Sequence, residues 1–189
     1  MRHAAKNACK ADVLVESRLW KEPRVVKSLI RRTINEAAAA VSTSGAELAI
    51  VLTNDSAIRL LNRDWRGKDA ATNVLSFPAP NASGAPRHIG DIVLAYETIA
   101  REAHEEGKSF AHHVAHLAVH GFLHLKGYNH QRSKDANEME QLERKILRRL
   151  AIPDPYRSPA KSFAKSLAKS PAKTAKKRRD TPLNTMRSR

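Results

Sequence analysis

From Pro23 onward, Val25, Val26, Leu29, Ile30, Ile34, Ala37, Ala38 and Val41 recur every three or four positions, which predicts an amphipathic helix ending near Ser42–Gly45. Short apolar runs of strand type flank it. Asp12–Glu16 lies ahead; Glu47–Leu52 follows, nearly continuous in apolar content and so expected inside the sheet. Thr53 or Asn54 can cap a second helix whose apolar face is Ile58, Leu61 and Trp65, which puts Trp65 in the expected core; Gly67 ends the helix. Asn73–Phe77 and Gly90–Ala95 read as third and fourth strands, separated by a loop over Pro80–Pro86. Helices are expected at about Tyr96–Glu106, at Ser109–Leu125 and from Ser133, the last with Met139, Leu142, Ile146 and Leu150 as its stripe. Its acids (Asp135, Glu138, Glu140, Glu143) crowd the first half and its bases the end, as the helix dipole favours. The pattern thus gives four strands and five helices.

The helix at Ser109–Leu125 departs from the others. From Leu117 to Leu125 it is apolar on nearly every side, the mark of a buried helix, yet His112, His116, His120 and His124 recur along it at steps of four. His120 and His124 lie about 40° apart around the axis and roughly 6 Å apart along it, so both can aim at one point. Gly127 can leave the right-handed helix without steric cost, and a turn there returns His130 beneath the pair. A buried imidazole without a partner costs on the order of 1–3 kcal/mol, and few partners are visible nearby in sequence. One metal ion satisfies all three rings. Three neutral imidazoles suit zinc best, one Zn2+ per chain, though nickel, copper or iron would also bind, with a fourth position left open as in catalytic sites. His112 is turned about 80° from His120 and out of reach. His116 reads as a packing residue, with a supporting or substrate contact as the alternative, and His104, His112 and His113 read as surface residues.

The spacing of His120, His124 and His130 is that of the metzincin motif H-E-x-x-H-x-x-G-x-x-H, but Gly121 stands where those proteases carry their general base. A metallopeptidase would need another carboxylate, for which Asp91 is the candidate.

Charge narrows the substrate. The chain of 189 residues has a net charge of +15, and residues 151–189 alone hold 11 Lys+Arg against 2 Asp+Glu. A basic body suggests a polyanionic partner, because neutralising phosphates releases counterions. The end of the chain is low in complexity, with an S-x-A-K step at Ser158, Ser162, Ser166 and Ser170. Such a segment buries too little apolar surface to offset its entropy. Residues 1–10 and 156–189 are therefore expected to be disordered around a single domain at 11–155. The tail's composition resembles the lysine-rich tails of histone-like proteins and suggests non-specific nucleic-acid contact. Cys9 is the only cysteine, which excludes an intrachain disulfide and fits a reducing compartment. With no apolar signal segment and no apolar run near 18 residues, a soluble cytoplasmic protein without membrane contact is expected.

Two stretches carry a family resemblance. HGFLHLKGYNH (His120–His130) is similar to the zinc motif H-G-x-L-H-L-x-G-Y-D-H of the YbeY family of bacterial rRNA-maturation endoribonucleases. LNRDWRGKDAATNVLSFP (Leu61–Pro78) resembles that family's L-N-x-x-y-R-x-x-d-x-x-T-[DN]-V-L-S-F-P block, and Gly90-Asp91-Ile92 its G-D-I strand. The resemblance runs from about residue 45 to 150. It implies a single α+β domain with a small mixed sheet packed by helices, and a single-strand-specific, zinc-dependent endoribonuclease. It further implies action on ribosomal RNA of the small subunit (16S rRNA 3′-end processing) and in ribosome quality control. Arg66, at the family's arginine position, is then the phosphate clamp, since a guanidinium pairs two phosphate oxygens at once. Thr72, Asn73 and Ser76 are candidates for lining the cleft. Asn129 replaces the family's Asp before the last histidine, which removes one proton acceptor. A ribosome assembly factor with a structural zinc and no cleavage of its own is the rival reading.

Overall fold

Every second residue of the strands points to one side of a sheet, and here the two sides are covered unequally. In the computed structural model, which describes residues 9–43, 45–80 and 88–157, strands β1 (Lys10–Val15), β2 (Glu47–Thr53), β3 (Val74–Pro78) and β4 (His88–Ala95) form one sheet in the order β1-β2-β4-β3. β1, β2 and β4 are parallel, and β3 runs antiparallel along β4 at an edge, with Ser76 opposite Ile92 and Phe77 opposite Asp91. The sheet is therefore mixed, and β2 is interior as its continuous apolar run implies.

Five helices pack on it: α1 (Pro23–Ala40), α2 (Asp55–Arg66), α3 (Tyr96–Glu105), α4 (Phe110–Leu125) and α5 (Ser133–Arg149). Pro23 sits in the first turn of α1, where its missing N–H costs nothing. The Asn54 side chain caps α2 by accepting from the Ala57 N–H at 2.9 Å. One sheet face supplies Val13, Leu48, Ile50, Leu52, Ile92 and Leu94 to the main core, which α1, α4 and α5 close. The other face supplies Leu75, Val93 and Ala95 to a small cluster around Ile58 of α2. α4 lies in the middle of the molecule, with Phe122, Leu123, Val119 and Ala118 fully buried.

This is the expected α+β domain of four strands and five helices, with element ends shifted by a residue or two. Residues 1–8, the loop segment 81–87 and the tail from 158 lie outside the described residues, so the expectations placed there do too. Among the described residues no helix is long and apolar enough to cross a membrane. Trp65 corrects the expectation of a core residue. It follows Ile58 and Leu61 at the right spacing, but it is 71% exposed with only the Phe77 ring as aromatic neighbour. Helical spacing gives the direction of a side chain; it does not say how far the layer beneath extends.

Candidate metal centre

The end of α4 folds as its glycine requires. Gly127 takes φ 87°, the Gly127 N–H donates to the His124 carbonyl and the Tyr128 N–H to the Leu123 carbonyl, both at 3.0 Å. This closing pattern of a left-handed residue and two crossed bonds reverses the chain. Asn129 then accepts from the Gln131 N–H at 3.2 Å, a local turn that fixes the segment carrying His130. As a result His120, His124 and His130 each place a ring nitrogen within 4.8 Å of the others. Ring centroids lie 4.5 Å apart for His120–His124, 5.1 Å for His124–His130 and 5.6 Å for His120–His130.

The hydrogen bonds behind these rings decide their tautomers. His120 Nδ1 is 2.9 Å from Glu143 Oε1, and His124 Nδ1 is 2.9 Å from the Tyr128 carbonyl. A carboxylate and a carbonyl only accept, so both Nδ1 atoms carry the proton and donate. In the neutral rings both Nε2 atoms then present lone pairs, and they face each other at 3.0 Å. Two lone pairs at that distance repel unless a cation stands between them and His130. Burial, with the charges of His120 and His130, pushes the His124 pKa down to about 4, so near neutrality the His124 Nε2 offers a lone pair. The donor set and its tautomers fit a metal ion held by three imidazoles, zinc among the most suitable.

Glu143, which the sequence reading left as an ordinary acid of α5, is fully buried and central to this arrangement. Its carboxylate accepts from His120 Nδ1, from His116 Nε2 at 3.1 Å and from the Tyr156 hydroxyl. Burial pushes its pKa up, but the bonds from His116, His120 and Tyr156 outweigh that and hold it well below the usual carboxylate range. His116 thus joins the centre through the shared carboxylate. The Tyr156 ring packs against His116 at 5.5 Å, one residue beyond the expected domain end, and lies under the Arg144 guanidinium. A signal for Glu143 does exist in the sequence. It falls four after Met139 and three before Ile146, where the apolar stripe calls for an apolar residue. His116 and His120 therefore do have a polar partner; it comes from α5, too far along the chain for local reading.

Other expectations move. His113 is buried rather than at the surface, its Nε2 2.8 Å from Glu102 on α3, whose carboxylate also receives the Asn73 side-chain amide. Asp91 points away from the metal centre. Ser76 and Ile92 face α4, where a Cβ on Gly121 would meet both at 3.0 Å; the next pair, Phe77 and Asp91, faces the opposite side. Asp91 instead lies 3.1 Å from His88. The same contacts crowd any Cβ at position 121.

Arg66 ends α2, exposed, with Nη2 donating to the Ser76 carbonyl at 3.3 Å on the open edge of β3. Ser76 in turn donates its hydroxyl to the Gly121 carbonyl at 3.3 Å, beside His120. Of the candidate cleft residues, Ser76 and Asn73 are thus tied into the fold, and Thr72 is half-buried ahead of β3. Next to the imidazoles a cleft of ≈ 500 Å³ opens, bordered by His124, Lys126, Pro78 and His88.

Comparison with known proteins gives the family and the fold. The profile of the family described as Endoribonuclease YbeY matches residues 15–151. An Endoribonuclease YbeY of Rhodopseudomonas palustris is 52% identical over 162 residues, covering 82% of this chain and 84% of that protein. One of Chelativorans sp. is 52% identical over 159 residues, covering 81% of this chain and 96% of that protein. The solution structure of TM1509 from Thermotoga maritima superposes with a TM-score of 0.50 at 20% identity, covering 79% of this chain and 97% of that one, a likeness of fold. A profile match spanning most of the folded body, with half the aligned residues shared by relatives of similar length, makes this chain a member of the YbeY family.

Proposed function

We propose that the protein is a zinc-dependent endoribonuclease that cuts single-stranded regions of ribosomal RNA precursors, in small-subunit (16S) rRNA 3′-end maturation and ribosome quality control. The observation that carries the metal-dependent part is the pair of Nε2 lone pairs meeting at 3.0 Å beside the exposed His130. The ribonuclease part rests on membership of the family and on the net charge of +15. The ribosomal substrate, the small subunit as partner and a cytoplasmic location rest on the resemblance of Leu61–Pro78 and His120–His130 to that family's motifs.

Zinc held by His120, His124 and His130 would supply Lewis acidity toward a water or a phosphoryl oxygen. The chain's own residues do the rest. Glu143 keeps the Nδ1 proton on His120 and fixes that ring's direction. Arg66 spends one N–H on the Ser76 carbonyl, and its other donors face solvent, where they can pair phosphate oxygens. Among the described residues Glu143 is the only carboxylate hydrogen-bonded to any of the three rings, through His120, and it is fully buried with three donors already on it. With glycine at 121 and Asp91 on the far face, peptide hydrolysis lacks its carboxylate base.

The test is metal content by elemental analysis beside cleavage of a precursor rRNA. His124→Ala is expected to lose zinc and cleavage together; Arg66→Glu is expected to keep zinc and lose cleavage. Cleavage that persists in both variants would sink the proposal, and intact RNA with the wild type would favour an assembly factor with structural zinc.

A further inference from the structure

Among the described residues the most exposed large apolar side chain is Trp65, at 71%. Folding alone does not account for an indole left in water, since burying it would release a large apolar area. It is nevertheless held in place. The Phe77 ring meets it edge to face, with centroids 5.8 Å apart and planes at 69°. One face of the indole is therefore presented to solvent in a fixed orientation.

Its surroundings are cationic. Arg66 follows it directly and lies on the open edge of β3, and Lys68 is exposed in the turn after α2. Neither makes an ion pair among the described residues. The acids nearby are already neutralised: Asp64 by Arg63 at 2.9 Å and Asp69 by Arg59 at 2.7 Å. A protein partner would call for a wider apolar patch. Leu60, 49% exposed, falls about 140° around the helix from Trp65 and does not extend it. One rigid aromatic face beside unpaired cations matches a nucleobase with its phosphates. Phe77 faces the side of the sheet opposite α4, so the indole lies across the edge of β3 from the cleft. Phe77 is followed by Pro78, which borders the cleft with His124, and Ser76 links the Arg66 guanidinium to the backbone of α4.

We propose that Trp65, braced by Phe77 and flanked by Arg66 and Lys68, is a stacking platform for an unpaired nucleobase of RNA that crosses the edge of β3 toward the cleft. The inference rests on the endoribonuclease reading and adds a binding subsite to it. The platform takes any base, since every base has a π-face, and so it selects unpaired strand over duplex rather than one sequence.

The protein has two tryptophans, and Trp20 is buried with its indole N–H on the Thr53 carbonyl, so solvent-side quenching reports Trp65. The full chain is titrated with a short labelled oligoadenylate and, separately, with an abasic ribose-phosphate oligomer of equal charge. Oligoadenylate is expected to quench the emission and the abasic oligomer to bind without quenching. Trp65→Ala is expected to weaken oligoadenylate binding by about tenfold, to leave abasic binding unchanged and to raise the KM of cleavage at constant kcat. Trp65→Phe keeps an aromatic face and is expected to restore most of the affinity. Equal quenching by both oligomers, or unchanged affinity in Trp65→Ala, overturns the platform. Quenching by wild type that cleaves no RNA overturns the endoribonuclease reading and leaves the platform standing.

Discussion

Glu143 accepts three donors inside the core, so its replacement separates charge from shape. In Glu143→Gln one carboxylate oxygen becomes an amide NH2, and either His120 or the pair His116 and Tyr156 loses its acceptor. The ring of His120 is then free to take the wrong tautomer. Zinc affinity is expected to fall about 10–100-fold, measured by competition with a chromophoric chelator, and stability to fall by on the order of 1–3 kcal/mol for the orphaned donor. Unchanged affinity would mean that Glu143 only fills space. The same residue shows where the sequence is legible and where it is not. His120, His124 and His130 were readable because their convergence depends on helix geometry and one glycine turn, all within eleven positions. Glu143 and Tyr156 reach them across a helix packing whose register local spacing does not determine. Its mark, a carboxylate on an apolar stripe, is visible but also fits the macrodipole.

At the scale of elements, α4 depends on how closely it approaches the β3–β4 pair. A Cβ on Gly121 would stand 3.0 Å from Ile92 Cγ2 and 3.0 Å from Ser76 Oγ, both in well-packed surroundings. Gly121→Ala is expected to destabilise the fold by about 1–3 kcal/mol through overpacking, read from chemical denaturation. A variant as stable as wild type would show that α4 can shift freely on the sheet. Strands and helices themselves followed their periods closely, because burial on one face enforces either alternation or a three-to-four spacing. Trp65 and His113 did not follow. The first needed the extent of the layer beneath it, and the second needed Glu102 from a different helix, the kind of information that tertiary packing alone supplies.

For the whole molecule the charge is as informative as the fold. Residues 158–189 hold 10 Lys+Arg and one Asp, so RNA affinity should fall steeply with salt. Changing Lys161, Lys165, Lys169 and Lys173 together to Gln is expected to flatten the log affinity against log salt slope by about 0.7 for each lysine that contacts a phosphate. An unchanged slope would remove the tail from RNA binding. The buried carboxylate of α5 also has a bearing on time. A chain is made from its N-terminus, so the three imidazoles at 120–130 leave the ribosome before Glu143, and Glu143 before Tyr156. The hydrogen bond that orients His120 cannot form until α5 has docked on α4. A nascent chain therefore holds the three imidazoles without their buried carboxylate until α5 and Tyr156 have been made.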